Sequence, residues 1–341
     1  MAMSGGVDSS VSAYLLKEAG YRVSGIHLEL YRTPNPTSGE DHADLERTCR
    51  QINIPLYILH LEKEFESRII DYFCQEYGRG RTPNPCIKCN KSIKFGLLLD
   101  KVREMGGDRL ASGHYARIEA SAAGYRLLKG VDVSKDQSYF LYTLGQRELG
   151  QTLFPLGGRH KKDVKQLAAG LNLPAAERRE SQDICFIPDD DQRVFLAGRL
   201  SPRRGEIVDS NGKVLGQHRG LPYYTIGQRQ GTGVSAGERF YVIRLDPETN
   251  RLVVGPQSQL FKERLVAYNL SWVSGRPPEG QAEVMAKIRY RSPEARATLE
   301  VKGEGVEVRF AEMQRAIAIG QSVVFYQGDE VLGGGIIGET A

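Results

Sequence analysis

Two groups of residues in this 341-residue chain have the types and spacing that chemistry requires. The first is Ser4-Gly5-Gly6-Val7-Asp8-Ser9-Ser10, followed by a run from Val11 to Ala19 with helical character. Gly5 and Gly6 carry no Cβ, so backbone N–H groups can approach anionic oxygens. Ser4, Ser9 and Ser10 add hydroxyl donors at a helix N-terminus, whose partial positive charge favours anions. A serine-capped glycine turn would use the same residue types, but seven contiguous residues at a helix start favour a phosphate-binding loop. The chain has no Gly-x-x-x-x-Gly-Lys-Ser/Thr, so the loop is not of the Walker type. Asp8 would repel phosphate unless a cation lies between them, and Mg²⁺ held by phosphate oxygens and Asp8 is the expected cation.

The second group is a set of thiols. Thr82-Pro-Asn-Pro-Cys-Ile-Lys-Cys-Asn90 presents Cys86 and Cys89 on a turn stiffened by two prolines and leading into a helix. With Lys88 and Lys91 adjacent, a thiol there is expected to ionise more readily than a free cysteine. Cys-x-x-Cys also reads as half a zinc site, but no second close ligand pair exists to complete a ribbon. Cys185 stands almost a hundred residues later in Ser181-Gln-Asp-Ile-Cys-Phe-Ile-Pro188. Two distant cysteines could meet in the fold, one carrying sulfur and the other resolving it. Flanked by Ile184 and Phe186, Cys185 fits a core position equally well. Cys49 and Cys74 lie among apolar neighbours and read as core residues.

These groups need a scaffold, and the first half of the chain offers one. Strand-like runs at Val23 to Leu30, Leu56 to Leu61 and Arg109 to Ser112 alternate with helices near 43–52, 64–77 and 91–105, the last stopping at Gly106-Gly107. Phosphate loops of this kind hang from the C-terminal end of a buried parallel strand, yet only Met1, Ala2 and Met3 precede this one. The first strand is therefore expected to be truncated, and upstream residues to raise affinity for the nucleotide. From about residue 200 the texture changes to short alternating runs and glycine-rich turns. Asp246-Pro-Glu-Thr-Asn250 reads as a hairpin, and alternation at 284–290, 306–310 and 322–337 reads as an antiparallel module. The expected division is 1–195 for an α/β domain with a doubly wound parallel sheet, 196–263 for a small β-rich linker domain and 264–341 for a C-terminal antiparallel β-barrel.

Composition agrees with this reading and excludes others. At 40% hydrophobic and 26% charged residues the chain has the balance of a globular protein, and no apolar run approaches the ~20 residues of a membrane span. Five cysteines, an odd number, argue against a disulfide scaffold and for a reducing, cytoplasmic setting. The net charge of +4 does not by itself demand a polyanionic partner. Seven basic residues between Arg79 and Arg103 face the single acid Asp100, and Arg159, Lys161, Lys162 and Lys165 form a second basic patch.

The Ser4–Ser10 loop resembles the PP-loop of ATP pyrophosphatases, which cleave between the α and β phosphates. Together with Thr-Pro-Asn-Pro-x-x-x-Cys-Asn-x-x-Ile-Lys-Phe at 82–95, Gly113-His114-Tyr115, Lys135-Asp-Gln-Ser-Tyr-Phe-Leu-Tyr142, Ile184-Cys-Phe-Ile187, Arg289-Tyr290 and Gly333-Gly-Gly-Ile336, it resembles the tRNA-specific 2-thiouridylases over essentially the whole chain. The resemblance implies that ATP adenylates O2 of a wobble uridine in tRNAs of the Lys, Glu and Gln type, and that sulfur displaces AMP. It implies that Cys185 carries a persulfide from a donor such as a cysteine desulfurase or a sulfur carrier protein. Cys89 would resolve it, leaving a transient disulfide between the two. It places Ala2, Met3, Ser4, Gly5, Gly6, Val7, Asp8, Ser9, Leu28 and Gly113 around ATP, and Asn84, Pro85 and Cys86 beside the target base. His114, Lys135, Asp136, Gln137, Arg289, Tyr290 and Gln321 would contact tRNA.

One position departs from the family. Many relatives carry Asp where this chain has Cys86, and a thiol with an unperturbed pKa near ~8.5 is a different acid–base catalyst. The change also makes a three-thiol set, so Cys86, Cys89 and Cys185 as ligands of a [4Fe–4S] cluster are a second expectation. Two other functions use the same loop. A PP-loop ligase that forms amides or guanidines needs no paired thiols, so unimpaired turnover of Cys185→Ser would favour it. A non-catalytic RNA-binding protein would release no pyrophosphate on addition of ATP and tRNA.

Overall fold

Met1, Ala2 and Met3 are apolar residues, and they run extended through the middle of a parallel sheet. The computed structural model describes residues 1–31, 38–177, 184–187, 191–233 and 239–341. In it Ala2 bridges Ile26 in parallel. The Ile26 N–H donates to Met1 O, Met3 N–H to Ile26 O and Ala2 N–H to Ala111 O, each at 2.8 Å. Their main-chain groups are thus paired on both sides, which is what a buried strand position demands.

Around them, β1 (Gly25–Glu29) pairs in parallel with β2 (Leu56–His60), from Gly25↔Leu56 to Glu29↔His60. On the far side lies β3 (Leu110–Ala111). The chain then makes a hairpin of β4 (Ala116–Ser121) and β5 (Gly124–Lys129), and β6 (Thr152–Leu153) returns to pair in parallel with β3. Helices cover both faces. On one, α1 (Val7–Glu18), α2 (Ser38–Ile52) and the helix Lys161–Gly170 bury Val7, Val11, Leu45, Cys49, Val164 and Ala168 together. On the other, Phe95, Leu98, Leu99 and Val102 pack with Ile26 and Leu110. Parallel strands between two helical layers are the doubly wound arrangement, and the crevice lies at the strands' carboxyl ends.

The helix expected over 91–105 differs in start and pitch. It begins at Pro85, runs as an α-helix through Cys89, widens to π pitch over Asn90–Leu98 and returns to α over Leu99–Glu104. Gly96 permits the wide turn, since a Cβ there would sit 2.8 Å from the Lys91 carbonyl oxygen. Each π turn adds a residue to the circuit and re-aims the side chains that follow, an irregularity that favours functional segments.

The linker domain holds β7 (Gly205–Val208), β8 (Val214–His218), β9 (Tyr241–Asp246) and β10 (Arg251–Gly255) in the order β8-β7-β10-β9. The hairpin expected at 246–250 joins β9 to β10, with Asn250 at φ 53. The C-terminal strands are β11 (Phe261–Trp272), β12 (Gln281–Lys287), β13 (Ala295–Lys302), β14 (Gly305–Arg315), β15 (Ser322–Gln327) and β16 (Glu330–Thr340). They run β11-β14-β13-β12-β15-β16, and pairing of β16 with β11 closes a barrel around Leu265, Val284, Leu299, Val308, Phe325 and Ile337. Closure removes the exposed edges. The β4–β5 hairpin docks on it through Leu128↔Glu330 and the Arg117–Asp329 and Arg126–Glu330 ion pairs, and beyond the hairpin the buried Tyr139 hydroxyl donates to Ser322 O at 2.8 Å. Among the described residues no helix is long and apolar enough to cross a membrane.

Candidate functional site

The phosphate loop is built to receive an anion. Gly6 is the N-cap of α1 and supplies no side-chain acceptor, so the first-turn N–H groups are left for an external partner. Gly5 turns the chain with φ 76. The Ser9 and Ser10 hydroxyls each donate to Gly6 O at 3.0 Å, and Ser9 Oγ accepts from Ser4 N–H at 3.2 Å, which fixes the loop's curvature. Gly113 closes the other side. A Cβ on it would lie 3.0 Å from the Asp8 carbonyl carbon and 3.1 Å from Ser9 N, so only glycine lets the end of β3 come this close. These features fit a nucleotide triphosphate.

The Asp8 carboxylate, expected beside Mg²⁺, meets Lys161 in the structure, with Nζ 2.6 and 2.7 Å from its two oxygens. Tyr115 also donates its hydroxyl to Asp8 at 2.8 Å. An ammonium group therefore faces Asp8 and is held by it. Lys161 had been read only as part of a surface basic patch. It is 7% exposed, and nothing local distinguishes it from Lys162 or Lys165, because its partner lies 153 positions away.

The thiols lie on the opposite wall. Asn84 caps the Pro85 helix, its Oδ1 accepting from Ile87 N–H at 3.3 Å, and Pro85 takes the first helical position, where a missing N–H does no harm. The next turns carry Cys86 outward and Cys89 inward. Phe186 and Ile187 are buried with Phe65, Phe73 and Cys89, Phe186 meeting Phe73 edge to face at 5.3 Å. They seat the Cys185 segment against the Cys89 helix, while Cys185 itself is exposed. The two local readings of Cys185 are thus decided between its neighbours and itself. Ser181, Gln182, Asp183 and Pro188 of the same motif lie outside the described residues.

The three thiols share an electrostatic environment. Burial pushes the Cys89 thiol up to about 12, the Lys94 ammonium pulls it down, and negative charge on Cys185 or Cys86 pushes it up again. Cys86 and Cys185 are also raised, first by desolvation from the surrounding protein although both residues keep exposed surface, with Lys94 opposing. The expectation of a readily ionised thiol is therefore reversed, because burial outweighs the helix start, and the cation that acts is Lys94 rather than Lys88 or Lys91. Lys94 also links the two walls. It lowers the pKa of His114 together with burial, the larger cause, and the neighbouring Phe95 ring lies 5.7 Å from the His114 ring. His114 is therefore neutral, with Nδ1 2.8 Å from Ser112 Oγ. Leu28 packs between the Phe95 and Phe65 clusters, near both walls.

Several residues expected at tRNA are engaged within the protein. The Asp136 carboxylate is buried and accepts from Gly130 N–H, Ser138 N–H and Ser138 Oγ at 3.0, 3.1 and 2.8 Å. Gln137 Oε1 accepts from Tyr115 N–H at 3.0 Å. Both hold the loop beside Lys135 in shape. Arg289 donates to the Arg315 and Ala316 carbonyls, and the Tyr290 ring lies 4.4 Å from Phe140. Gln321 reaches the thiol loop directly, donating to Thr82 O at 3.0 Å and Pro83 O at 3.4 Å. Thr82 N–H also donates to Ile319 O at 2.8 Å, and Thr82 Oγ1 is 3.1 Å from Thr225 Oγ1. All three domains meet at the root of the turn that presents Cys86 and Cys89.

Comparison with known proteins agrees with this geometry. Residues 1–189 match the profile described as the tRNA methyl transferase HUP domain, 193–256 its PRC-barrel domain and 262–337 the aminomethyltransferase beta-barrel domain. The tRNA-specific 2-thiouridylase MnmA of Syntrophomonas wolfei is 47% identical over 98% of both chains. That of Geobacter metallireducens is 48% identical over 99% of this chain and 95% of its own. The chain belongs to the tRNA-specific 2-thiouridylase family. The profile's description speaks of a methyl transferase, whereas the full-length relatives are named tRNA-specific 2-thiouridylases. Its first matched segment contains the Ser4–Ser10 loop, Cys86, Cys89 and Cys185, and its last contains Arg289, Tyr290 and Gln321. Among solved structures, the U34-tRNA thiolase NcsA of Methanococcus maripaludis, described with its [4Fe-4S] cluster, gives a TM-score of 0.35 at 22% identity, covering 58% of this chain and 62% of its own.

Proposed function

We propose that this thiouridylase replaces O2 of a tRNA wobble uridine with sulfur in two coupled steps. Uracil O2 attacks the α-phosphorus of ATP bound at Ser4–Ser9 and Gly113, and pyrophosphate leaves. Sulfur then adds at C2, and AMP departs with the former O2. The sulfur enters as a persulfide on Cys185, delivered by a donor such as a cysteine desulfurase or a sulfur carrier protein. Cys89 attacks the Cys185 Sγ, a disulfide forms between them, and hydrosulfide leaves toward C2; two electrons from an external dithiol restore the thiols. The observation that carries this reading is the convergence of Cys86, Cys89 and Cys185 on Lys94, one residue from the Phe95 ring that touches His114 beside the loop. A thiol raised to about 12 stays protonated at rest, which suits a nucleophile that must not react before its partner is loaded. Arg289, Tyr290 and Lys135 are assigned to tRNA contact, by charge and by stacking. The setting is taken to be the cytoplasm, where free thiols persist.

The same convergence supports a second reading. Three soft ligands under the influence of one ammonium group would suit a [4Fe–4S] cluster held by Cys86, Cys89 and Cys185, with one iron free of protein ligand, which would supply sulfide at the same place. Full activity of anaerobically purified protein with neither iron nor visible absorption would exclude it. The thiolation itself is tested by mass spectrometry of tRNA nucleosides from cells lacking the gene and complemented with wild type or Cys89→Ser. Loss of 2-thiouridine, restored only by wild type, is expected. Persistence of 2-thiouridine in the deletion strain would refute the assignment.

A further inference from the structure

His27 and Glu29 are two residues apart on β1, so their side chains leave the same face of the sheet. That face is covered by α2, and His42 of α2 comes down upon them. His27 Nε2 lies 3.7 Å from Glu29 Oε1, and His42 Nε2 contacts the same oxygen. The two imidazoles meet edge to face at 5.3 Å. One ligand atom from each of the three side chains lies within 4.8 Å of the others.

Two observations set this cluster apart from an ordinary ion pair. His27 Nδ1 is 2.8 Å from the Met3 carbonyl oxygen, which can only accept, so Nδ1 carries hydrogen. In the neutral ring this leaves the Nε2 lone pair facing a carboxylate, a repulsive arrangement unless a cation lies between. An N–H of this kind donating to a main-chain carbonyl is the usual outer partner of a metal-bound histidine. The second observation is Glu29 Oε1, which is enclosed between the two imidazoles, with His42 Nε2 against it and His27 Nε2 at 3.7 Å, and makes no hydrogen bond of acceptable geometry among the described residues. Three donor atoms thus crowd one point without the hydrogen-bond geometry that would satisfy them by themselves, and an ion between them would do so.

We propose that His27 Nε2, Glu29 Oε1 and His42 Nε2 bind a divalent transition-metal ion of the zinc class. Two imidazoles and a carboxylate are the donor set such ions prefer over Mg²⁺ or Ca²⁺, and three protein ligands leave room for water. The ion lies away from the thiols and has a structural consequence for the nucleotide loop. It fixes His27, His27 fixes the Met3 carbonyl, and Met3 is the last residue before Ser4.

Co²⁺ is the probe, because its visible spectrum separates nitrogen–oxygen from thiolate ligation. In a chain carrying Cys86→Ser, Cys89→Ser and Cys185→Ser, one equivalent of Co²⁺ should survive desalting and show d–d bands without sulfur charge transfer. Adding His42→Ala or Glu29→Gln should weaken binding by at least ~100-fold, more than the loss of an outer partner would. Equal Co²⁺ content with and without His42→Ala would overturn the proposal, as would the absence of bound Co²⁺ in the thiol-free chain. Should the thiol-free chain fail to fold, the wild-type spectrum minus that of His42→Ala must contain d–d bands and no thiolate charge transfer. A flat difference overturns the proposal there as well.

Discussion

Replacing Lys161 by Met removes the cation that stands against Asp8 while keeping most of the side chain's length. With Nζ at 2.6 and 2.7 Å from the carboxylate oxygens, the gross attraction is about 6 kcal/mol at an effective dielectric constant of 20. Much of that offsets desolvation, and the Asp8 side chain is still 35% exposed, so the net loss on breaking the pair falls below the ~3–5 kcal/mol of a fully buried one, at about 2 kcal/mol. The effect should appear most clearly in ATP binding, because an uncompensated Asp8 then faces the triphosphate directly. A further loss of about 2 kcal/mol corresponds to ~30-fold weaker affinity. Isothermal titration with a non-hydrolysable ATP analogue on wild type, Lys161→Met, Asp8→Asn and the double variant separates the causes. If Lys161 acts by neutralising Asp8, the double variant recovers most of the affinity lost in Lys161→Met. Wild-type affinity in Lys161→Met, or no recovery in the double variant, would refute the reasoning; the latter would mean that the ammonium grips phosphate itself.

Three other outcomes follow from the same geometry. The Cys89 thiol, raised to about 12, should alkylate ~1000-fold more slowly at neutral pH than a thiol at its ordinary value of 9.0, and because a raised pKa moves thiolate formation upward, its rate should still be climbing at about pH 10, where an ordinary thiol levels off; peptide-resolved iodoacetamide labelling that shows a plateau near 9 contradicts the buried assignment. Gln321→Ala removes both hydrogen bonds to the Thr82–Pro83 carbonyls, at about 1 kcal/mol of stability, and should lower the thiolation kcat several-fold while leaving ATP affinity unchanged; an unchanged kcat would show that the barrel does not position the thiol loop. Gly113→Ala brings a Cβ to 3.0 Å from the Asp8 backbone and should raise the KM for ATP by at least ~10-fold with tRNA affinity unaltered, as read by filter binding.

What could be read without coordinates was what is local in sequence. The Ser4–Ser10 loop, the Pro85 helix start, the 246–250 hairpin and the change of texture near residue 200 are each specified by adjacent residues, and each has its counterpart in the fold. What could not be read was pairing at a distance. The ion pair of Asp8 with Lys161 spans 153 residues; Cys89 looked acidic because its neighbours are lysines, whereas the clusters that bury it come from Phe65, Phe73 and Phe186. The first strand was expected from a count of residues to be truncated, and the pairing of Met1, Ala2 and Met3 with Ile26 and Ala111 on either side, far along the chain, could not be counted in that way.

The same distinction bears on how the domains cooperate. Asp136, Gln137, Arg289 and Gln321 were expected on tRNA from the family resemblance, and in the structure they bond to this protein's own groups, almost all of them backbone. Gln321 and Thr225 converge on Thr82, so anything that moves the barrel or the linker domain moves the turn carrying Cys86 and Cys89. A tRNA that bridges the barrel and the first domain would therefore act on the thiols through Thr82. Sulfur chemistry would then be released by substrate docking, and a thiol held protonated by burial is what such control requires.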